Sequence, residues 1–513
     1  MKSAFRINFR VFAVVALSVT GAVFCAYLCA VIGVLGIVIG CIYCAVLAAL
    51  AAVLSVKCAR GSARLCVAAA FVLAFVLGTS AFAVATAEYY NKNEYIRSGA
   101  YAVTGRICAF DLRDGVYAVN LEDLYFDGRA LPGILRAQFT ANDDNIAESL
   151  DLGDKITFYS YVTASKLVQN GRVNGYAYRT NIRYSATVDG SRVVTEFGEP
   201  TLRERFMRGW RALYVKGMGE RYGNIAYSMF TGDRYGLDDD ISFDFSIVGI
   251  GHVLAVSGLH ISFLAMILEF LMSKVNRKVR FFVICAVLFL YAFIADFSPS
   301  VVRALIMYIV SGIGMLLFKR RDLLSSWCCA YSLILAVRPF YMFEAGFLLS
   351  FGAILGIALF ANSISRFFKA HGAVHKVSSG IGASVSVAVG VAPTQCYFFG
   401  TVNLLACIVN IVVIPYVTVV FVLLAVLTPV ATIPHCYEVL AVCKYALMPL
   451  DYIVTGIARV NVTVIGLKCS FAVFMCYPLL FCASEYVMIK RGKGVLSVYA
   501  FLLCLLIFII SSL

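Results

Sequence analysis

Five aspartates, Asp233, Asp238, Asp239, Asp240 and Asp244, fall in one short stretch that runs directly into an apolar segment carrying His252, Ser257, Gly258 and His260. Clustered carboxylates can hold a divalent cation, and an acidic turn at a helix start also complements the helix dipole; the residues alone allow both. In GHVLAVSGLHISF (251–263) the pair Ser257-Gly258 can open a helix, leaving backbone N–H and C=O groups facing a cavity as broken helices in transport proteins do. An ionisable side chain at the centre of an apolar span costs about 3 kcal/mol or more unless it faces protein or water. His260, beside the break, therefore either lines a polar pathway or is buried against a neighbouring helix.

A second polar interruption follows, made of Asp296, Ser298, Pro299 and Arg303. A guanidinium at membrane depth needs a carboxylate, a phosphate or water. Glu344 is a candidate partner; if Arg303 faces a cavity instead, it can meet a phosphodiester backbone without reading sequence. Gly346 and Ser350 have the small-x-x-x-small spacing that permits close helix packing. Other chemistries find no residues to carry them. The sequence has no Walker A motif, and His371 and His375 lie four apart in a basic loop without the acidic partner of a zinc-hydrolase helix. No catalytic, metal or cofactor site is expected.

Those residues need a membrane scaffold. Of the 513 residues, 61 % are hydrophobic and 14 % charged, far from the roughly 45–50 % apolar share of soluble domains. The expected fold is a polytopic α-helical membrane protein of roughly eleven or more spans, with a small extracytoplasmic β-barrel domain inserted. Candidate spans lie at 11–33, 34–55 and 65–86, then at 247–272, 281–297, 300–318, 323–337, 343–361 and 377–396, with a Pro415-interrupted hairpin over 402–431 and a final pair at 468–488 and 494–513. Basic patches flank the span ends as cytoplasmic loops do, which puts the N-terminus in the cytoplasm and the middle segment outside. The net charge of +14 reflects these flanks, since Glu88 to Pro200 carries twelve Lys/Arg against fifteen Asp/Glu. Of the eighteen cysteines nearly all lie in or beside apolar spans, Cys41 and Cys44 included, and only Cys108 lies in the exposed domain.

The domain organisation reads as N-terminal transmembrane helices over 1–87, the exposed domain over 88–200, an amphipathic interfacial helix and linker over 201–229, and a channel domain over 230–513. In the exposed domain YAVTGRICAF, GVYAVNLEDLYF, GILRAQFTA, KITFYSYVTASKL and RTNIRYSATV alternate as strands do. Five short strands suggest a small closed barrel, OB-like. Its aromatics, Tyr101, Tyr117, Tyr125, Phe126, Phe158, Tyr159, Tyr161, Tyr176 and Tyr178, are core or cross-strand partners or stacking platforms for bases. In TLRERFMRGWRALYVKGMGERY (201–222) apolar and basic residues alternate at helical spacing, which suits a membrane-surface helix, and Thr201 and Glu204 have capping-box spacing.

Four segments carry a family resemblance in order. GDRYGLDDD with GHVLAVSGLHISF, FSPSVVRALIM (297–307), EAGFLLSFGAILGI (344–357) and APTQCYFFGTVNLLACIVNIVVIPYV (392–417) resemble the signature of the ComEC-type competence membrane channels. The resemblance implies passage of single-stranded DNA through the bacterial inner membrane, and an OB-like domain at this place, whose Leu-x-x-Gly-Asp element LDLGDKITFYSYV matches. It also implies an outer DNA-receptor protein, a cytosolic ATP-driven DNA motor and, as further expectations, a homo-oligomer and a separate nuclease. Many such proteins continue into a metallo-β-lactamase-like domain, whereas this sequence has no His-x-His-x-Asp-His cluster, so no nuclease activity is expected of it. A small-solute or ion transporter, or a non-transporting assembly protein on the same scaffold, is the alternative.

Overall fold

The computed structural model describes residues 11–32, 62–93, 96–113, 116–139, 150–198 apart from 151, 166–167, 170–171, 174–179 and 190–191, then 201–317 except 235, 323–361, 373–403, 405–433, 436–459 and 464–466. The expected spans 34–55, 468–488 and 494–513, the Cys41/Cys44 pair, Tyr176 and Tyr178 lie outside the described residues.

Two apolar helices, α1 (Val11–Ile32) and α2 (Ser62–Asn93), come first. They touch closely because residue 78 is glycine: a Cβ there would lie 2.8 Å from the Ala22 Cβ. The polar end of α2 leads into the barrel strands β1 (Gly99–Arg113), β2 (Val116–Phe126), β3 (Ile134–Phe139), β4 (Lys155–Ala164) and β5 (Ile182–Val188). Each predicted strand segment forms one of these five. β1 pairs antiparallel with both β2 and β4, β2 pairs with β3, β3 runs parallel to β5, and β5 pairs with β4. The ring therefore closes as β1-β2-β3-β5-β4-β1.

One strand serves two neighbours because it bends at a bulge. The β1–β2 register shifts between Thr104 and Arg106, and a Cβ on the intervening Gly105 would sit 2.9 Å from the Leu121 Cβ; bulges of this kind turn a strand. Strand alternation then sorts the side chains. Ile156, Phe158 and Val162 of β4 enter a core with Val103, Ile107, Leu121, Leu135 and Tyr184, while Tyr159 and Tyr161 point outward and are exposed. Phe126 is likewise core, and Tyr125 is exposed. Cys108 is a free thiol that donates to the Asn120 carbonyl (3.2 Å). Burial, and then the Glu122 carboxylate, push its thiol up to about 12.

Helix α3 (Leu202–Met218) begins in the expected capping box, with the Thr201 N–H donating to Glu204 Oε2 (2.7 Å) and the Glu204 N–H to Thr201 Oγ1 (3.3 Å). Its C-terminal half packs on protein. Met207, Tyr214 and Met218 are buried in the main helical core, the Tyr214 and Thr428 hydroxyls lie 2.6 Å apart, and Lys216 sits 4.2 Å over the Tyr437 ring. An amphipathic pattern reads the same whether its apolar face meets lipid or protein; here part of that face meets protein, while Leu202 and Phe206 stay exposed. Arg106 of β1 joins the barrel to this helix by pairing with Glu122 (2.7 Å) and with Glu204.

The remaining helices are α4 (Glu220–Thr231), α5 (Asp239–Ile247), α6 (Gly258–Leu271), α7 (Arg277–Ile294), α8 (Pro299–Leu316), α9 (Leu323–Val337), α10 (Ala345–Gly356), α11 (Ala373–Phe399), α12 (Leu405–Ala431) and α13 (Ala441–Ala458). Among the described residues four helices are long and apolar enough to cross a bilayer: Pro299–Leu316, Gly380–Phe399, Ile408–Ala431 and Tyr437–Ala458. The 247–272 segment is broken at Ser257-Gly258 as expected: α5 ends, a 3-10 turn covers Gly251–Val253, and α6 starts only at Gly258. Two expectations change. The segment 402–431 is not a hairpin. α12 runs straight through Pro415 and Pro429, as apolar helices can when neighbours re-satisfy the freed backbone groups. Finally, α13 lies where no span was expected, because Lys444 and Asp451 dilute its apolar run.

Candidate functional site

The site is organised by the start of α6. Ser257 is its N-cap: its Oγ accepts the Leu259 N–H (3.3 Å), and its own N–H donates to His260 Nδ1 (3.1 Å). This is a capping box with histidine in the place of the usual glutamate. A ring nitrogen that accepts a backbone N–H carries no proton, so the imidazole is neutral with its hydrogen on Nε2. The ring is 1 % exposed and stacks on Phe421 of α12 at 4.4 Å. His260 thus fixes the helix start and packs it against α12. His252 stands apart in the 3-10 turn and is exposed.

Gly258 brings α6 against α8. A Cβ at this residue would lie 2.3 Å from Arg303 Nη2 and 3.3 Å from the Ala304 Cβ, so any larger residue displaces the arginine or the helix. Arg303 is 5 % exposed. Its Nη1 donates to the Ser350 carbonyl of α10 and its guanidinium lies over the Phe351 ring, 5.6 Å from the centroid. Nε is buried with no hydrogen-bond partner. The structure therefore brings Ser257, Gly258, Arg303 and Ser350 together, with His260 behind them.

Glu344 is not the partner of Arg303. It is the buried N-cap residue of α10, six residues before Ser350 and so about 9 Å away along the axis; a carboxylate there complements the α10 dipole. Ser298 and Pro299 open α8: Ser298 is the N-cap residue and makes no side-chain capping bond, and Pro299 occupies the first turn. The turn before them holds Asp296 and Phe297 at φ 53° and 44°, and Asp296 pairs with Arg203 of α3 at 3.3 Å.

The acidic turn is gripped from α4 and lies against the helix break. The Tyr227 hydroxyl donates to Asp233 (3.1 Å), Arg221 reaches Asp238 (4.0 Å), and Asn224 Nδ2 donates to the Gly236 carbonyl (2.5 Å). A Cβ on Gly232 would meet Val256 at 3.1 Å, and the Ser228 hydroxyl donates to the Leu254 carbonyl (2.8 Å). Asp238, Asp239 and Asp240 are exposed at the start of α5. Among the described residues no group of three or more His, Cys, Asp and Glu comes together as a metal site would require.

Sequence reasoning missed two features. Asp451 of α13 is buried and takes both Nε and Nη2 of Arg221, at 2.8 and 2.9 Å; a lone aspartate in an apolar helix was the signal. Close helix packing is not found at Gly346, where a Cβ would meet only Glu344. A Cβ on Gly352 would lie 2.5 Å from the Gly390 carbonyl oxygen, and one on Gly356 would lie 2.1 Å from that of Ser386. Both helices carry the i, i+4 small-residue spacing there, readable as Gly352/Gly356 and Ser386/Gly390.

ComE operon protein 3 of Bacillus subtilis (strain 168) is 27 % identical over 196 residues, which is 38 % of this chain and 24 % of that protein. An uncharacterized protein of Aquifex aeolicus (strain VF5) is 30 % identical over 158 residues, 31 % of this chain and 36 % of its own length. The chain thus aligns with well under two thirds of either relative. No solved structure matches it. The competence protein family model matches residues 229–490, which take in the acidic turn, the broken helix, its arginine and the α10–α11 crossing. With more than half of its residues matched in that way, the chain belongs to the competence protein family.

Proposed function

We propose that this membrane protein is a multi-pass channel of the bacterial inner membrane that admits single-stranded DNA to the cytoplasm during natural transformation. The observation that carries the reading is the broken helix at Ser257-Gly258 in a family-matched segment, set against a buried arginine that has no carboxylate partner among the described residues. Irregular backbone at membrane depth is tolerated where it is buried in protein or lines a water-filled cavity. The pathway runs by Ser257, Gly258, His260 and Arg303, with Ser298, Pro299 and Glu344 at the surrounding helix starts and Ser350 in the middle of α10. The barrel is OB-like and guards the outer mouth. Support for this is its five-stranded ring, which is not a simple up-and-down order because β3 and β5 run parallel. The exposed Tyr125, Tyr159 and Tyr161 are its candidates for stacking on bases.

In this reading the chain conducts and does not cleave. Its N-terminus is cytoplasmic, its lipid partner is the bilayer, and its protein partners are an outer DNA receptor, a cytosolic ATP-driven motor, a separate nuclease and further copies of itself. The competing reading is a proton-coupled carrier of small solutes using His260. The capping bond at Nδ1 and the Phe421 stack weigh against it, since a relay histidine must exchange its partners. The test is uptake of labelled DNA by the host with and without this gene, and with Arg303→Ala and His260→Ala at matched membrane expression. Loss of internal DNA with surface binding retained is expected; unchanged uptake in the deletion overturns the proposal.

A further inference from the structure

Among the described residues Arg303 has no acidic partner. Its hydrogen-bond acceptor is a neutral carbonyl and its other contact an aromatic face, and Nε is left with nothing to donate to. Nη2 abuts Gly258, the first residue of α6. A helix N-terminus carries about half a positive charge, so a full cation has been packed against a partial one. A buried arginine normally pairs with an acid, as a lone buried charge is costly; Glu344, the acid next to α10, sits at the N-terminal end of that helix, six residues before Ser350. Glycine at 258 is what lets Nη2 reach the start of α6, since a Cβ there would lie 2.3 Å from it. Guanidinium N–H donors in a fixed fork, next to a helix N-terminus, are the donor set that oxyanions of phosphorus bind.

The geometry points to a phosphate site formed by Arg303 Nε and Nη2 beside the positive dipole end of α6, whose Leu259 N–H is already taken by Ser257 Oγ. Its ligand is a tetrahedral phosphate-type oxyanion. This rests on the channel reading for its source, in which the oxyanions are successive phosphodiesters of the entering strand. Free inorganic phosphate has the same chemistry. Occupancy supplies the charge that the fold withholds, and it requires no base contact, so any sequence passes.

The test uses the full chain in nanodiscs of neutral lipid. Probes are a fluorescent oligothymidylate, an abasic deoxyribose-phosphate strand, a methylphosphonate strand of neutral backbone, and inorganic phosphate. Expected is salt-dependent binding of the first two but not the third. Arg303→Gln is expected to weaken binding about tenfold or more and to lower the slope of log affinity against log salt by about one. Arg303→Lys keeps that slope while losing the forked geometry, and so binds several-fold more weakly; it decides the matter if Arg303→Gln does not fold. Strand binding with wild-type affinity and slope in Arg303→Gln, or wild-type affinity in Arg303→Lys when Arg303→Gln is unfolded, overturns the site and leaves the channel reading standing. If no strand binds but inorganic phosphate raises the unfolding temperature of the wild type and not of Arg303→Gln, the site stands and the DNA reading falls.

Discussion

Arg106 of the barrel and Arg303 of the helical region are 9 % and 5 % exposed, and the chain completes these two buried cations by different means. Arg106 lies between Glu122 of β2 and Glu204 of α3, and Glu204 also accepts the Thr201 N–H (2.7 Å), so strand, strand and helix start are tied in one joint. Arg303 has a carbonyl and a ring. A cation between two acids is neutralised by the fold itself. One with neutral partners is left for something else to neutralise, which separates a joint from a site.

The comparison is best broken at the joint, where the largest effect is expected. Arg106→Met leaves Glu204 buried beside Glu122 without a cation and should cost about 3 kcal/mol, most of it through Glu204, since the Glu122 side chain is 39 % exposed. Thermal unfolding and limited proteolysis between the barrel and α3 would measure it. The loss has a pH signature. Burial holds the Glu122 carboxyl above its usual range while Arg106 pulls it down, so removing Arg106 raises it further. A carboxyl raised in the folded state favours folding below its unfolded value and loses that contribution as pH rises through the folded value. The deficit of Arg106→Met should therefore shrink toward acidic pH; a deficit constant across pH would mean that lost packing, not charge, is responsible.

Next in size is Gly258→Ala, whose Cβ would press on Arg303 Nη2 at 2.3 Å and should cost about 1–3 kcal/mol as other overpacked sites do. Combining it with Arg303→Met should restore most of the loss, a coupling that a double-mutant cycle reads directly. Additive losses would show that Gly258 is needed for α6 itself and not for its arginine. Smaller again is Tyr214→Phe, expected to cost about 1 kcal/mol by removing the hydroxyl pair with Thr428. No change would return α3 to the membrane surface where its amphipathic pattern first placed it.

Which of these features the sequence announces follows from how local the cause is. The barrel was legible because strand alternation is a two-residue rule, and every predicted strand segment forms one. The capping box at Thr201 and the break at Ser257-Gly258 were legible for the same reason. The destination of the apolar face of α3 was not, since hydrophobicity is non-directional and does not say what covers it. Nor was the partner of Arg303. Glu344 was the candidate acid, but helical geometry places it six residues along the axis from Ser350, and the guanidinium meets a backbone carbonyl that no side-chain pattern encodes. His260 was singled out for its chemistry, and its place at the third position of a capping box shows that its type also serves the backbone. The Gly352/Gly356 and Ser386/Gly390 crossing was written plainly in the spacing and passed over for Gly346 and Ser350, which share the spacing, although a Cβ on Gly346 would meet only Glu344.

The smallest expected effect on stability is the one that decides the comparison. Arg303→Met removes a buried cation and keeps an unbranched side chain of similar length. The Ser350 carbonyl that loses its donor lies within α10 and keeps its intrahelical bond, so no acceptor is orphaned. Replacing a charge that the fold does not neutralise by an apolar side chain is neutral or stabilising, so the unfolding temperature of Arg303→Met should stay level or rise while DNA uptake is lost. In Arg106→Met the same exchange strands two acids and lowers it. If both variants fall together, Arg303 is a second joint, held by contacts with Ser350 and Phe351 that contribute more than its burial costs, and the phosphate site loses its foundation. If only Arg106→Met falls, the chain keeps an unneutralised cation beside a helix start at no benefit to its own stability, which is the condition a ligand site must meet.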